Sequence, residues 1–382
     1  MPAAHTAPTT GAPAPAAPGP SASTPAPVPA PAVSVRGVYK VFGPRPAEAV
    51  RRLEAGASRD EVKDLGTAAV VDASFDVAHG EIFVVMGLSG SGKSTLIRML
   101  NGLWAPTAGH VLLGDADLAA VDARRLRALR RSRVSMVFQH FALLPHRTVL
   151  DNAAYPLEIQ GVGKAERRER ARTALDLVGL GGWEDSLPSE LSGGMRQRVG
   201  LARALAADTD VLLMDEAFSA LDPLIRSEMQ DQLLELQRSL GKTIVFITHD
   251  LNEAMHLGDR IAIMRDGRIE QVGTAAEILE RPASEYVAQF VADVDRSRVL
   301  TASSAMVAID ELPQAEADLA DDAPAVDHDA TLADVLVPLA DADGPLRVTD
   351  GDGSTVGVLS ADDVVTAMAH PSSGAAEQEV PS

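Results

Sequence analysis

The sequence contains no cysteine. Disulfides and thiolate metal sites are therefore excluded, and the absence fits a reducing compartment. Long apolar runs are missing too. The longest, such as Val211 to Met214 and Ile244 to Ile247, fall far short of the roughly 20 residues a membrane-spanning helix requires. No basic stretch followed by an apolar one opens the chain, so no signal peptide is expected. These absences predict a soluble chain, or one held at a membrane by something else. A surplus of positive charge is also absent. The net charge of -20 argues against general nucleic-acid binding, which needs Lys and Arg to displace counterions.

What is present is 382 residues, enough for two or three domains. Their charge is unevenly spread. After Val299, 17 acidic residues face one basic residue, Arg347, a net of -16 over the last 83 residues. Residues 1–32 form a Pro/Ala/Ser/Thr tract with no charged side chain, holding 10 of the 24 prolines. Such a tract buries too little apolar surface to offset its ordering entropy and is expected to be disordered, as is the tail at 371–382.

From Val33 the pattern becomes strand-like, with Val33, Val35 and Val38 alternating toward Phe42. Residues 44–68 read as two short helices, the second opened by Ser58 and Glu61 in capping-box spacing. Strands are expected at Val70–Val77 and Ile82–Met86, and a long polar helix around Lys164 to Val178. Two more apolar strands, Val211–Met214 and Thr243–Ile247, flank a helix from Pro223 to Leu240. Strands apolar on both faces and alternating with helices imply a parallel α/β sheet. The segment 326–370 reads as helix, strand, turn, strand, helix, with Thr331 and Ser360 opening the two helices. Its turn, Asp350-Gly-Asp-Gly, invites a calcium reading but lacks the Glu that closes a twelve-residue calcium loop, so a hairpin turn is expected.

The Ile82–Met86 strand runs into Gly87-Leu-Ser-Gly-Ser-Gly-Lys-Ser94, then a helix from Thr95. That is the spacing of a P-loop. Glycines 87, 90 and 92 let the backbone curl so that N–H groups point at phosphate oxygens, and the helix N-terminus adds positive potential. Lys93 is expected to reach the β- and γ-phosphates of ATP and Ser94 to sit on Mg2+. The loop as a whole, with Leu88, Ser89, Ser91 and Thr95, is the expected nucleotide cradle.

Downstream, Val211–Met214 ends in Asp215-Glu216, two carboxylates at the C-terminal edge of a buried strand. Asp215 is suited to hold Mg2+, directly or through water, and Glu216 to polarise the attacking water. Thr248 is followed by His249 on the same edge, where a γ-phosphate contact is expected. Gln139 follows Val134–Phe138, where its amide can sense Mg2+ and the water. Leu191-Ser-Gly-Gly-Met195 opens a second Gly-rich helix start at Ser192, Gly193 and Gly194. It is either a plain Ser N-cap or an anion cradle. One ATP does not need two independent cradles, so the second reading suggests a symmetric dimer in which each cradle completes its partner's site.

Together these residues resemble the ATP-binding subunits of ABC transporters over roughly 33–295. The resemblance takes the loop at 87–94, Gln139 as the Q-loop, LSGGM at 191–195 as the signature and LLMDE at 212–216 as Walker B. Ser219-Ala-Leu-Asp222 matches the D-loop and His249 the switch histidine. It implies a P-loop NTPase with a RecA-like α/β core, an antiparallel β region that stacks adenine, and a helical subdomain carrying the signature. It also implies Phe42, then Tyr39, as the adenine-stacking aromatic, and places Asp222 at the nucleotide.

The insertion at 44–68, the string from Phe138 to His146 and that from Asp215 to Arg226 look like the glycine betaine/L-proline (quaternary amine) import ATPases. Met195, where the wider superfamily has Gln, is similar to that subfamily's pattern. Such subunits often carry a CBS pair. Here 326–370 resembles one CBS module, and 296–325 reads as an acidic linker or degenerate remnant.

The resemblance implies a homodimeric import motor at the cytoplasmic face of the membrane, pushing on a separate permease fed by a periplasmic or lipid-anchored binding protein. A different small solute, or a soluble non-transport ATPase, are the alternatives; membrane fractionation separates the latter. The acidic segment after residue 299 is read either as a regulatory arm or as a solvated appendage. As an arm, its repulsion from an anionic membrane would fade with salt, since screening lengths shorten to about 8 Å at physiological ionic strength.

Overall fold

The computed structural model describes residues 30–139, 142–312, 323–342 and 344–369. The tails expected at 1–32 and 371–382 lie outside them, except for residues 30–32. Ala32 is already buried there and donates its N–H to the Val77 carbonyl at 2.9 Å. Two units are distinguished, Met1–Ala30 and Pro31–Ser382, and the second is the one described below.

Among the described residues, the first ten strands build two sheets. β1 (Val33–Phe42), β2 (Thr67–Val77), β4 (Ala108–Leu113) and β5 (Ala116–Asp117) pair antiparallel in the order β2-β1-β4-β5. β3 (Ile82–Met86), β6 (Val134–Val137), β7 (Val211–Asp215), β8 (Thr243–Thr248), β9 (Arg260–Arg265) and β10 (Arg268–Gly273) form the second sheet, ordered β10-β9-β3-β8-β7-β6. All neighbours in it are parallel except the β9–β10 edge hairpin.

The central strands are apolar throughout because both faces are covered. Ile82, Val84 and Met86 of β3 enter one hydrophobic cluster and Phe83 and Val85 the other. β8 divides the same way, Ile244 and Phe246 against Val245 and Ile247. Successive side chains point to opposite faces, so alternate residues feed the two layers. The parallel register pairs Met86 with Thr248 and Asp215 with Ile247. The residues that follow each strand, Gly87, Glu216 and His249, therefore emerge along one edge.

Helices Val149–Ala153, Tyr155–Gln160, Lys164–Leu177 and Gly193–Ala206 pack on one another and share the hydrophobic cluster on one face of the parallel sheet. Asn152, fully buried, ties its entry: Oδ1 accepts from the Leu144 N–H at 2.7 Å, while Nδ2 donates to the carbonyls of Leu144, Arg147 and Thr148. Within the insertion, Pro46–Glu54 is helical, but the second expected helix is only a 3-10 turn, Asp60–Val62. The Ser58–Glu61 reciprocal bonds do form, at 2.7 and 3.4 Å. Gly66 ends the run four residues after Val62, so the cap opens a single turn.

The C-terminal part holds a four-stranded sheet. Its strands are β11 (Val307–Ala308), β12 (Ala325–Asp327), β13 (Leu346–Thr349) and β14 (Thr355–Leu359), in the order β11-β14-β13-β12. Helices Leu332–Asp341 and Ala361–Met368 have the expected caps, Thr331 accepting from Asp334 N–H and Ser360 from Asp363 N–H. Asp350 Oδ1 accepts from the N–H groups of Asp352 and Ser354, closing the hairpin turn. The structure also draws residues 307–308 into this sheet, in register with Val358 and Gly357. A two-residue strand has no period to read in a sequence. Among the described residues, no helix is long and apolar enough to cross a membrane.

Candidate functional site

The loop that follows β3 is built on two close backbone approaches. A Cβ at Gly87 (φ +146) would stand 2.2 Å from the Met264 carbonyl oxygen, and one at Gly92 (φ +107) 2.3 Å from that of Ala69. Only glycine fits both places. Gly92 precedes the helix Lys93–Leu100, whose first turn carries Ser94, exposed, and Thr95, half-buried. Lys93 is 5% exposed and folds back over the loop, its Nζ donating to the carbonyls of Gly87 at 2.7 Å and Leu88 at 3.1 Å. Burial pushes this ammonium below its ordinary pKa, while the carboxylates of Glu216 and Asp215 pull it back up.

Asp215 ends β7 beside it. Burial and then the neighbouring Glu216 raise the Asp215 carboxyl above the usual range, against Arg98, Lys93 and a hydrogen bond from Ser94. Glu216 follows in the left-handed region at φ 47, an uncommon place for a non-glycine residue. Its N–H donates to the Ile247 carbonyl and its own carbonyl accepts from Ser219 Oγ, both at 2.9 Å. This pinned turn aims the side chain across the strand ends. Glu216 Oε2 accepts from Gln139 Nε2 at 3.1 Å and lies 3.3 Å from His249 Nδ1. Gln139 Nε2 also reaches Ser219 Oγ at 3.5 Å.

Lys93, Ser94, Asp215, Glu216, Gln139 and His249 thus come together from four segments. Ser192 to Gly194 keep other company. Ser192 Oγ accepts from Met195 N–H at 3.2 Å, and Gly194 packs on the Ile225 side chain. Asp222 Oδ1 caps the Pro223–Leu240 helix by accepting from Ile225 N–H at 3.1 Å. Phe42 is 39% exposed, edge-on to Trp104 with centroids 5.0 Å apart, and Lys40 Nζ lies 5.0 Å from its ring. Tyr39, at 7% exposure, belongs to the core. His140 and Phe141 lie outside the described residues.

Two neighbours of the site escape a motif reading. Arg98 bears electrostatically on Asp215 and stacks over Trp104 at 4.8 Å. Its signal was helical spacing, since it lies four residues after Ser94 and so on the same face. Trp104 carries no pattern of its own.

The ABC transporter family model matches residues 70–219. The glycine betaine/proline betaine transport ATP-binding protein ProV of Escherichia coli is 54% identical over 272 residues, covering 71% of this chain and 68% of that protein. The chain belongs to the family of ABC transporter ATP-binding proteins. The glycine betaine transport ATP-binding protein OpuAA of Bacillus subtilis is 56% identical over 276 residues, covering 72% of this chain and 66% of the relative. The chain therefore spans about two thirds of the length of these relatives. A trimethylamine N-oxide transport ATP-binding protein of Ruegeria pomeroyi is 52% identical, over 71% of this chain and 80% of its own. Among solved structures, a dimeric ATP-binding cassette in a post-hydrolysis state with ADP and phosphate matches with a TM-score of 0.55 at 31% identity. It covers 64% of this chain and 98% of that one.

Behind His249 lies a further carboxyl of this ABC protein. Glu253, 4% exposed, accepts from Gln230 Nε2 at 3.1 Å. Burial raises its pKa, against hydrogen bonds from Thr248 and Gln230. A carboxyl raised in the folded state contributes stability that is complete below its unfolded pKa and lost as pH rises through its folded one. The melting temperature is expected to decline across that window, above the ordinary Glu range, and Glu253→Gln to flatten the decline. Superimposable pH profiles for the two proteins would show that Glu253 does not titrate there.

Proposed function

We propose that this chain is the ATP-hydrolysing subunit of an importer for small quaternary amines such as glycine betaine. It works as a homodimer at the cytoplasmic face of the membrane, under a separate permease supplied by a periplasmic or lipid-anchored binding protein. The observation that carries the ATPase reading is the meeting of Glu216 with Gln139 and His249 beside the Lys93 loop. The solute class rests on the relatives' similarity.

In this reading residues 87–95 cradle the phosphates, with Gly87, Leu88, Ser89, Gly90, Ser91, Gly92 and Thr95 presenting backbone or hydroxyl groups and Lys93 its ammonium. Phe42, 39% exposed, supplies its ring to the adenine. The hydroxyl of Ser94, the carboxylate of Asp215 and the amide of Gln139 are hard oxygen donors, which suit Mg2+. The crowding of Asp215 against Glu216 gives a cation there a further reason to bind. Held by these residues, Mg2+ would supply charge neutralisation to the phosphates. Glu216 accepts the proton of the attacking water, Gln139 orients that water, and His249 holds Glu216 on one side and the γ-phosphate on the other. Ser192, Gly193 and Gly194 bind the γ-phosphate held by a second copy, with Asp222 lying across the seam. We assign 33–295 to the ATPase domain, 296–325 to a linker or CBS remnant and 326–370 to a CBS-like module, its sheet extended by Val307–Ala308.

The test is ATP hydrolysis by the complex assembled with its permease and binding protein. Glycine betaine, proline, choline or trimethylamine N-oxide is expected to stimulate it, and histidine not. Indifference to every one of these solutes would refute the solute class. A preference for trimethylamine N-oxide would place the chain with its Ruegeria relative.

A further inference from the structure

The loops that flank Glu216 come from different strands. Ser219–Asp222 follows β7, and His249 follows β8. Between them stands Arg226, on the first turn of the Pro223–Leu240 helix. Its Nη2 donates to the Leu221 carbonyl at 3.1 Å and its Nη1 to Asp250 Oδ2 at 3.2 Å. Asp250 is itself held by its own helix cap. Oδ1 accepts from the N–H groups of Asn252 and Glu253, capping the Leu251–Leu257 helix, and its own N–H donates to Thr248 Oγ1 at 2.9 Å. His249 therefore lies between two anchored residues. One helical turn beyond Arg226, Gln230 grips Glu253 from the same helix.

We propose that Arg226 is a positioning residue that locks the Ser219–Asp222 loop to the His249 loop, so that a shift of one carries the other. The proposal rests on the ATPase reading above. It gives the two loops that reach Glu216, through Ser219 Oγ on the Glu216 carbonyl and His249 on its carboxylate, a single rigid reference. A guanidinium suits the task because its planar fork presents two donors in fixed relation; an ammonium on a flexible stem satisfies one acceptor at a time. The pair is partly exposed, its side chains at 28% and 33%, so solvent screens much of its contribution to stability. A cavity of about 580 Å³ borders Arg226 and Asp250, so water can hydrate Asp250 when Arg226 is shortened.

The experiment is a double-mutant cycle on ATP turnover with Arg226→Ala, Arg226→Lys, His249→Ala and the two doubles. Each Arg226 variant alone is expected to lower kcat about 10-fold, with ATP affinity within about twofold of wild type. In the His249→Ala background each should cost clearly less than it does in wild type, because part of what Arg226 does passes through His249. Multiplicative losses, or an unchanged kcat in the single variants, would overturn the proposal. Should Arg226→Ala not fold, Arg226→Lys carries the same cycle, as it keeps charge and stem. A wild-type chain without ATPase activity removes both readings. An active wild type with a dead Glu216→Gln variant and unaffected Arg226 variants removes this one alone.

Discussion

Glu216→Gln is expected to slow ATP hydrolysis about a thousandfold while leaving ATP bound, the size of effect a positioned general base supplies. The substitution preserves shape, so Gln139 Nε2, 3.1 Å from Oε2, and His249 Nδ1, 3.3 Å away, keep a partner. Only the capacity to take a proton is lost. Because the turn is already fixed by the Ile247 carbonyl and Ser219 Oγ, no loop rearrangement should follow. Phosphate release at saturating ATP measures the first effect. Light scattering measures its companion, a stable ATP-bound dimer. Normal turnover would remove Glu216 from its role.

The second large effect is expected at Lys93. Its Nζ is bound to the carbonyls of Gly87 and Leu88, acceptors that a phosphate would outcompete. Hydrogen bonds to charged groups are worth roughly 1.5–3 kcal/mol each, so Lys93→Ala should weaken ATP binding by about 100-fold or more. Stability should move the other way or not at all. The ammonium is desolvated, which depresses its pKa, and deleting a buried charge removes its solvation penalty. Calorimetric titration with ATP and a melting curve read the two quantities independently. Undiminished affinity would show that the loop's N–H groups hold the nucleotide without the lysine.

The parts that were legible in the sequence are those whose chemistry is local. The Pro223–Leu240 helix was read to the residue, because Asp222 caps it, proline opens it and Gly241 ends it in the left-handed region. The parallel sheet was legible from strands apolar on both faces, and the carboxylate pair from its place at a strand end. Distance in the chain hid the rest. Asn152 reads as an ordinary helical polar residue, yet its three donated bonds shape the loop at 144–148. Arg226 was visible as part of a motif, but its link to Asp250 joins residues 24 apart and exists only in the fold. The 3-10 turn at Asp60–Val62 shows the converse, where a correct local signal met a chain segment too short to extend it.

The junction after residue 295 has a consequence for the thermodynamics of the whole chain. Arg296 donates to the Leu279 carbonyl on one side and the Ala367 carbonyl on the other. Leu300, Leu332, Leu346 and Leu359 share one continuous hydrophobic cluster with Leu279 and Val287. Two parts with a common core do not melt independently, because opening either one exposes apolar surface on the other. Heat absorption on unfolding should therefore form one peak spanning both. Cutting the chain at residue 300 would leave a raw apolar face on the part before it, so a segment that looks like an appendage is expected to act as a keystone.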